Sequence, residues 1–184
     1  MDSQTIISLF PKMACISDEK LRELSIKAMS DAMEAGGWNE ENVCLAPATV
    51  SYEGVGFGLI EHINLVTDMC MDAYERLSGY YEANGSPLDR DTVLCGALLH
   101  DIGKFTEYTV KDGAAVHGEN ADIMRHPLAG AVLAAKAGLP DSIIHLIATH
   151  TFEGDRSYLS QEAKFVRTLD LFAFNCSVAG LAKK

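Results

Sequence analysis

Apolar residues recur every three or four positions along most of the chain, the spacing that places them on one face of an α-helix. The longest such pattern predicts a helix from about Leu59 to Ala83, and a turn-forming Asn-Gly-Ser-Pro sequence follows it. Residues 93–101 are then apolar on every side. This stretch predicts a buried central helix, capped by Asp89 or Asp91.

Capping residues, prolines in a first turn and terminal glycines mark the ends of further helices. These helices are predicted over residues 18–35, 127–138, 140–150 and from Ser160 onward. The last of them is predicted to place Phe165, Val166, Leu169 and Phe172 on one face. Residues 38–57 are predicted to be irregular, either a linker or a loop over a site. The Asp-Gly pair at 112–113 favours a β-hairpin, with an irregular loop as the alternative. The predicted fold class is therefore all-α with at most a small β-hairpin.

The chain has 184 residues, of which 48% are hydrophobic and 22% charged, and these values are typical of one folded domain. Its formal net charge of −11 argues against long nucleic acid as a partner, because such binding relies on many lysines and arginines. A small anionic substrate stays compatible with this charge, since a bound metal ion can supply local positive charge. No apolar run is long enough to span a membrane, so no membrane partner is expected.

Two further features of the sequence bear on the cellular compartment of the protein. The first ten residues lack the basic start of a secretory signal. The five cysteines are odd in number and include no Cys-x-x-Cys pair, which argues against a disulfide framework and a structural zinc site. Free thiols in a reducing cytoplasm are therefore expected.

The candidate chemistry begins with His100-Asp101, which ends the predicted buried helix. Such a pair is costly to bury unless it has partners, and its simplest interpretation is a hydrogen-bonded histidine beside an ion-paired aspartate. Other histidines and a carboxylate also fall on apolar helix faces or at helix ends. They are His62, His126, His150 and Asp170. Four imidazoles and two carboxylates form a ligand set suited to first-row divalent metals.

The order of these residues resembles that of the HD superfamily of metal-dependent phosphohydrolases, whose signature is His, then His-Asp, then Asp. Here the signature is His62, His100-Asp101 and Asp170, and the run Leu-Leu-His-Asp-Ile-Gly-Lys at 98–104 matches its core. His126, followed by Pro-Leu-Ala-Gly-Ala, and His150 match the extra histidines of the dinuclear members. The resemblance implies an HD-domain helical bundle over residues 58–184. It leaves residues 1–57 as an N-terminal helix and irregular segment of the same compact unit.

The resemblance also implies a dinuclear site. Asp101 would bridge two divalent metal ions, with iron or manganese expected. The first ion would take His62, His100 and Asp170, and the second would take His126 and His150. The implied catalytic residues are Asp101 and Lys104, where Lys104 would neutralise a substrate anion. The plainer interpretation of Lys104 is a lysine favoured at the end of a helix by the helix dipole.

Three other residues are weaker candidates for substrate contacts. His117 lies in the hairpin-like segment and is a candidate for the mouth of a pocket. Tyr52 and Glu53 lie in the irregular segment, which would bring them over the metals if it forms a lid.

The expected function is hydrolysis of a small phosphate ester or nucleotide-like phosphodiester by a metal-activated water. A mixed-valence di-iron oxygenase is the alternative, because oxygenases of this superfamily use the same ligand set to cleave C–C or C–P bonds. A non-catalytic ligand-binding HD domain is a third possibility. Small anionic or phosphorylated compounds are the expected partners, and a homodimer is left open.

Overall fold

A computed structural model describes residues 1–119 and 121–184 of the chain. The structure is mostly helical with one two-stranded hairpin, which confirms the predicted fold class. The helices are α1 Ser3–Leu9, α2 Glu19–Ala35, α3 Leu59–Ala83, α4 Arg90–Leu99, α5 Lys104–Glu107, α6 His126–Ala137, α7 Asp141–Thr149 and α8 Gln161–Ser177. Short 3₁₀ turns lie at Pro11–Cys15, Val43–Leu45 and Phe152–Gly154.

Helix α4 lies at the centre of the molecule, as its uniformly apolar sequence predicts. Every residue from Val93 to Leu99 is buried, and α4 packs against α2, α3, α7 and α8. The side chain of Asp89 caps the helix by accepting a hydrogen bond from the backbone nitrogen of Thr92. Because α4 is buried, the residues that follow its carboxyl end also lie in the interior.

The helix boundaries follow the local signals in the sequence. Asp18 and Ser160 cap α2 and α8 through their side chains. Gly138 ends α6 in the left-handed conformation, at φ 92°. The Asp-Gly turn, with φ values of 53° and 78°, joins strands β1 Tyr108–Lys111 and β2 Ala114–His117. The hairpin prediction is confirmed.

Three features differ from the sequence predictions. The sequence patterns did not indicate α1, which is held by the buried side chains of Ile6 and Phe10. Helix α4 ends at Leu99, so His100 lies at its C-cap rather than within it. Phe172 is 60% exposed, because the buried face of α8 is formed by Ala163, Val166, Asp170 and Ala173.

Residues 46–58 form a strap that starts and ends at the amino end of α3. Pro47 and Gly58 form a β-bridge at its base, and Tyr52 pairs with Lys183 near the carboxyl end of the chain. The strap is thus fixed at both its base and its tip. The domain boundary after residue 57 stays a prediction. No helix in the described ranges is long and apolar enough to cross a membrane.

Candidate metal centre

The two carboxylate oxygens of Asp101 face two different groups of histidines. Oδ2 lies 3.4 Å from Nε2 of both His62 and His100. Oδ1 lies 3.4 Å from Nε2 of both His126 and His150. Asp101 therefore stands between the two groups, as a bridging ligand would.

Asp170 completes the first group from helix α8. Its Oδ1 lies 3.0 Å from Nε2 of His62 and 3.6 Å from Nε2 of His100. The structure thus forms two clusters of buried ligand atoms, each with all its atoms within 4.8 Å of one another. One cluster contains His62, His100 and Asp170, and the other contains Asp101, His126 and His150.

Two of the histidines are oriented in the same way by the helices that they follow. His100 and His150 are the C-cap residues of α4 and α7. Each ring nitrogen Nδ1 lies 2.7 Å from the carbonyl oxygen three residues earlier, that of Ala97 or Ile147. Because a carbonyl only accepts hydrogen bonds, Nδ1 carries the proton and donates it. Each Nε2 is therefore turned toward the site, where it can coordinate a metal ion once its ring is neutral.

A buried carboxylate orients His126. Oε2 of Glu107 accepts hydrogen bonds from the ring Nδ1 of His126 at 2.8 Å and from its backbone nitrogen at 2.6 Å. This role of Glu107 was not predicted. The partners are 19 positions apart and lie in no common helix or strand, so no local pattern signals the contact.

His62 has two aromatic neighbours. The centroid of its ring lies 6.3 Å from that of Phe57 and 6.2 Å from that of Phe174. Its location at the buried start of α3 brings Nε2 to both Asp101 and Asp170. All six residues predicted as metal ligands are therefore together in one buried site.

The electrostatics of the cluster favour ionised carboxylates. Burial opposes ionisation of Asp101, but Lys104 and His100 hold its pKa well below the usual range. Burial also opposes ionisation of Asp170, yet His100 and His62 hold its pKa well below the usual range. Burial disfavours the charged form of His100 as well, but the two aspartates raise its pKa to about 10. For His126, burial dominates and lowers the pKa. Both aspartates are thus held in the ionised form that metal coordination requires.

Several polar atoms of these residues are buried without a hydrogen-bond partner in the described part of the chain, and they indicate whether the residues fit metal ions. Oδ1 of Asp101 and Nε2 of His100 and His150 are buried without a hydrogen-bond partner among the described residues. Buried polar atoms without partners are rare in folded proteins and call for an explanation such as an ion. Divalent metal ions would coordinate all three atoms, and the donor set of imidazole and carboxylate suits them. The residues therefore fit metal ions.

Lys104 lies beside the cluster at the start of α5. Its Nζ donates hydrogen bonds to Oδ2 of Asp101 and to the carbonyl oxygen of Ala48, both at 2.7 Å. The lysine is buried. Its charge is thus paired with Asp101, and its second contact ties the strap to the site.

A cavity of about 470 Å³ opens from the predicted metal ligands. Strap residues 48–51, His117 of the hairpin, and Arg125, Phe152, Arg167 and Phe174 are among the residues that line it. Tyr52 and Glu53 are not among them. Tyr52 packs against Phe174 with ring centroids 6.0 Å apart, and Glu53 is exposed, with its backbone nitrogen bonded to the carbonyl oxygen of Ala182. The strap therefore contributes to the cavity with the residues just before the two that were predicted.

Comparison with known proteins gives two findings. The family model for the HD domain matches residues 59–175. The chain is also 35% identical, over 153 residues, to the dihydroneopterin 2',3'-cyclic phosphate phosphodiesterase of Methanocaldococcus jannaschii. That alignment covers 77% of this chain but only 57% of the relative. No solved structure matches the chain. Because the family match spans well over half of the residues and includes the whole ligand cluster, the chain belongs to the HD-domain family.

Proposed function

We propose that this chain is a metal-dependent phosphodiesterase that opens the cyclic phosphate of a small polyol derivative. The observation that carries the proposal is the placement of Asp101 between two groups of ligand atoms, at 3.4 Å from two histidines on each side. Two metal ions held by these two groups would suit an in-line displacement at phosphorus, because both attacking and leaving oxygens need stabilisation.

The name of the relative favours a cyclic phosphodiester over other phosphate esters. That protein is a phosphodiesterase of dihydroneopterin 2',3'-cyclic phosphate, so its substrate joins a cyclic phosphate to a flat ring system. The cavity has room for such a molecule, since its volume of about 470 Å³ falls in the usual range for small-molecule sites. A pterin or a nucleoside carrying a 2',3'-cyclic phosphate is therefore the substrate class we propose.

We propose the following metal ligands. His62, His100 and Asp170 would hold one ion, His126 and His150 the other, and Asp101 both. Iron or manganese is the expected metal, because a site rich in imidazole and carboxylate suits either. When bound, the ions supply Lewis-acid activation of the phosphoryl group and an acidified water.

The reaction consumes one water and breaks one ring P–O bond, which leaves a phosphomonoester and a free hydroxyl group. Lys104 keeps Asp101 oriented through the 2.7 Å contact and places a positive charge beside the site where the phosphate gains negative charge. His117 lines the same cavity and packs against Tyr108, with ring centroids 5.1 Å apart. We propose that His117 contacts the substrate from the hairpin side.

The decisive experiment measures hydrolysis with defined metal content. Protein purified without oxygen is loaded with Fe²⁺ or Mn²⁺ and given guanosine 2',3'-cyclic phosphate or dihydroneopterin 2',3'-cyclic phosphate, and ³¹P NMR follows the product. We expect a phosphomonoester, and we expect Asp101→Asn to reduce the rate by about 10³-fold or more, as loss of a central catalytic group does. Asp72→Asn, an exposed change on α3, is the matched control.

Other outcomes would point to the alternative functions. Substrate-dependent oxygen consumption, with a mixed-valence signal by electron paramagnetic resonance, would replace the proposal with a di-iron oxygenase. Full metal occupancy with tight binding of the cyclic phosphates but no turnover would indicate a non-catalytic HD domain.

A further inference from the structure

Three cavity residues lie beside metal ligands in the sequence, and the proposed chemistry leaves them without a role. Arg125 immediately precedes His126, Phe152 follows His150 by two residues, and Arg167 lies one helical turn before Asp170. The segments that carry the predicted ligands therefore also bring these three side chains to the same cavity. They form what we call the flanking subsite, defined by Arg125, Phe152 and Arg167.

Both arginines of the subsite already have carboxylate partners in the loop after α7. Nε of Arg125 lies 3.3 Å from Oε1 of Glu153, and Nη2 of Arg167 donates to Oδ1 of Asp155. Two positive charges thus face two negative charges. A second phosphate or carboxylate on the substrate would have to compete with these loop carboxylates for the same guanidinium groups.

The arginines nevertheless keep donors for a neutral acceptor. A guanidinium has five N–H donors, and Arg167 uses one of them on Asp155, its one hydrogen-bond partner among the described residues. The side chain of Arg167 is 15% exposed, while that of Asp155 is 59% exposed. None of the remaining nitrogens of Arg167 is buried without a partner, and the residue lines the cavity.

The third member of the subsite offers an aromatic surface. Phe152 is 62% exposed and lines the cavity, and the guanidinium carbon of Arg125 lies 4.8 Å from the centroid of its ring. Arginine and phenylalanine planes are both good stacking partners for flat rings. An exposed aromatic ring and unused N–H donors that line the same cavity match a planar ligand with hydrogen-bond acceptors on its edge.

We propose that the flanking subsite binds a neutral planar heterocycle, such as a pterin or purine, that carries a carbonyl oxygen or ring nitrogen as acceptor. Arg167 is its specificity-determining residue, and it donates to that acceptor while the cyclic phosphate lies at the metals. The inference rests on the proposed phosphodiesterase function, and it adds the means by which the site distinguishes a ring-bearing substrate from a simple glycol phosphate.

The first test compares two substrates on the metal-loaded enzyme. We expect Arg167→Met to lower kcat/KM for guanosine 2',3'-cyclic phosphate by about 10- to 100-fold, mainly through KM, as loss of a charge-assisted hydrogen bond does. For glycerol 1,2-cyclic phosphate, which has no ring, we expect a change of less than about threefold. The matched control is Arg156→Met, because Arg156 is exposed in the loop after α7 and does not line the cavity.

Two outcomes of this comparison would overturn the inference. An equal loss on both substrates would mean that Arg167 serves the phosphate rather than the ring. A loss of the same size in Asp155→Asn would mean that the arginine matters only as a tie to the loop, because that variant removes the ion pair and keeps the guanidinium. We expect Asp155→Asn to leave KM for the guanosine substrate within about threefold of the wild-type value.

A second test does not depend on catalysis. Neopterin, which has the ring but no phosphate, is titrated into metal-free protein and its fluorescence is followed. We expect binding that weakens by about tenfold in Arg167→Met and stays unchanged in Arg156→Met. If the wild-type protein hydrolyses no cyclic phosphate yet shows this pattern, the proposed function fails and the subsite stands. If it binds neither neopterin nor guanosine, the subsite inference is wrong.

Discussion

Glu107 holds His126 through a single oxygen, which accepts from the ring nitrogen Nδ1 at 2.8 Å and from the backbone nitrogen at 2.6 Å. The two contacts fix both the ring and the start of helix α6. Burial opposes the charge on Glu107, but the hydrogen bonds from His126 lower its pKa, so the carboxylate stays ionised. A charged acceptor on Nδ1 makes Nε2 a stronger donor to a metal ion.

We therefore expect Glu107→Gln to weaken the second metal site selectively. A neutral amide supports the ring less well, and loss of such a partner typically lowers metal affinity by about 10- to 100-fold. Titration of metal-free protein with Mn²⁺, followed by electron paramagnetic resonance, measures both affinities. Glu82→Gln at the exposed end of α3 is the control. Two ions bound by Glu107→Gln with wild-type affinity would show that the carboxylate does not support the site.

The Glu107 contact also shows where sequence reasoning reaches its limit. The six metal-ligand candidates could be predicted because each lies at a helix end or on an apolar stripe and because their order matches a known family. Both ends of helix α3 could be predicted because its apolar spacing and the Asn-Gly break that follows it are local signals.

The missed features depend on tertiary contacts instead. Glu107 meets His126 only because α5 packs against α6, and Arg167 faces the cavity only because α8 crosses the site. The strap presents Ala48 rather than Tyr52 to the cavity, because its tip is held by Lys183 near the end of the chain. Phe172 was instead predicted wrongly. Its hydrophobicity and helical spacing placed it on the apolar face of α8, but the fold leaves it exposed.

Metal removal should lower the thermal stability of the protein. Chelation leaves the buried Oδ1 of Asp101 and the Nε2 atoms of His100 and His150 without partners. Each ion, at about 100 times its dissociation constant, stabilises a folded protein by about 2.7 kcal/mol, which corresponds to about 5–10 °C for a chain of this size. Calorimetry before and after chelation measures the shift, and added Mn²⁺ should restore the melting temperature.

The Asp101→Asn variant tests whether the stabilising metal ions bind at the predicted ligands. Its melting temperature should respond to Mn²⁺ far less than that of the wild-type protein, since the residue between the two groups is altered. An unchanged melting temperature after complete chelation of the wild-type protein would contradict a structural contribution from the metals.

Gly103 allows α5 to lie directly on α6. A Cβ atom at this position would lie 2.0 Å from the carbonyl oxygen of His126 and 2.6 Å from the backbone nitrogen of Gly130. Both obstacles are backbone atoms, so they cannot move aside as a side chain would. We expect Gly103→Ala to destabilise the protein by about 3 kcal/mol or more and to reduce metal binding, because His126 is displaced.

The control for this prediction is another glycine-to-alanine change. Gly79 is exposed on α3, and a Cβ atom there would meet nothing within 4 Å. Gly79→Ala should stabilise the protein by about 0.5–1 kcal/mol, because alanine favours the helix. Chemical denaturation measures both changes. Equal stability of the two variants would contradict the close approach of α5 and α6.

The five cysteines should separate into two classes by reactivity. Cys15, Cys44 and Cys176 are exposed, whereas Cys70 and Cys95 are buried in α3 and α4. Burial raises the pKa of the Cys95 thiol to about 12 and raises that of Cys70 further. Since the thiolate is the reactive form, we expect a thiol reagent at pH 8 to modify three cysteines quickly and the other two only after unfolding.

The same pKa values predict a loss of stability in alkali. Between the ordinary thiol pKa of 9.0 and the raised value of about 12 for Cys95, the unfolded chain loses a proton that the folded chain keeps. The free energy of unfolding therefore falls as the pH rises through this window. Denaturation curves from pH 8 to pH 11 measure the slope, and Cys95→Ala should reduce it while Cys44→Ser, at an exposed thiol, should not. A slope that Cys95→Ala leaves unchanged would show that other groups cause the alkaline loss.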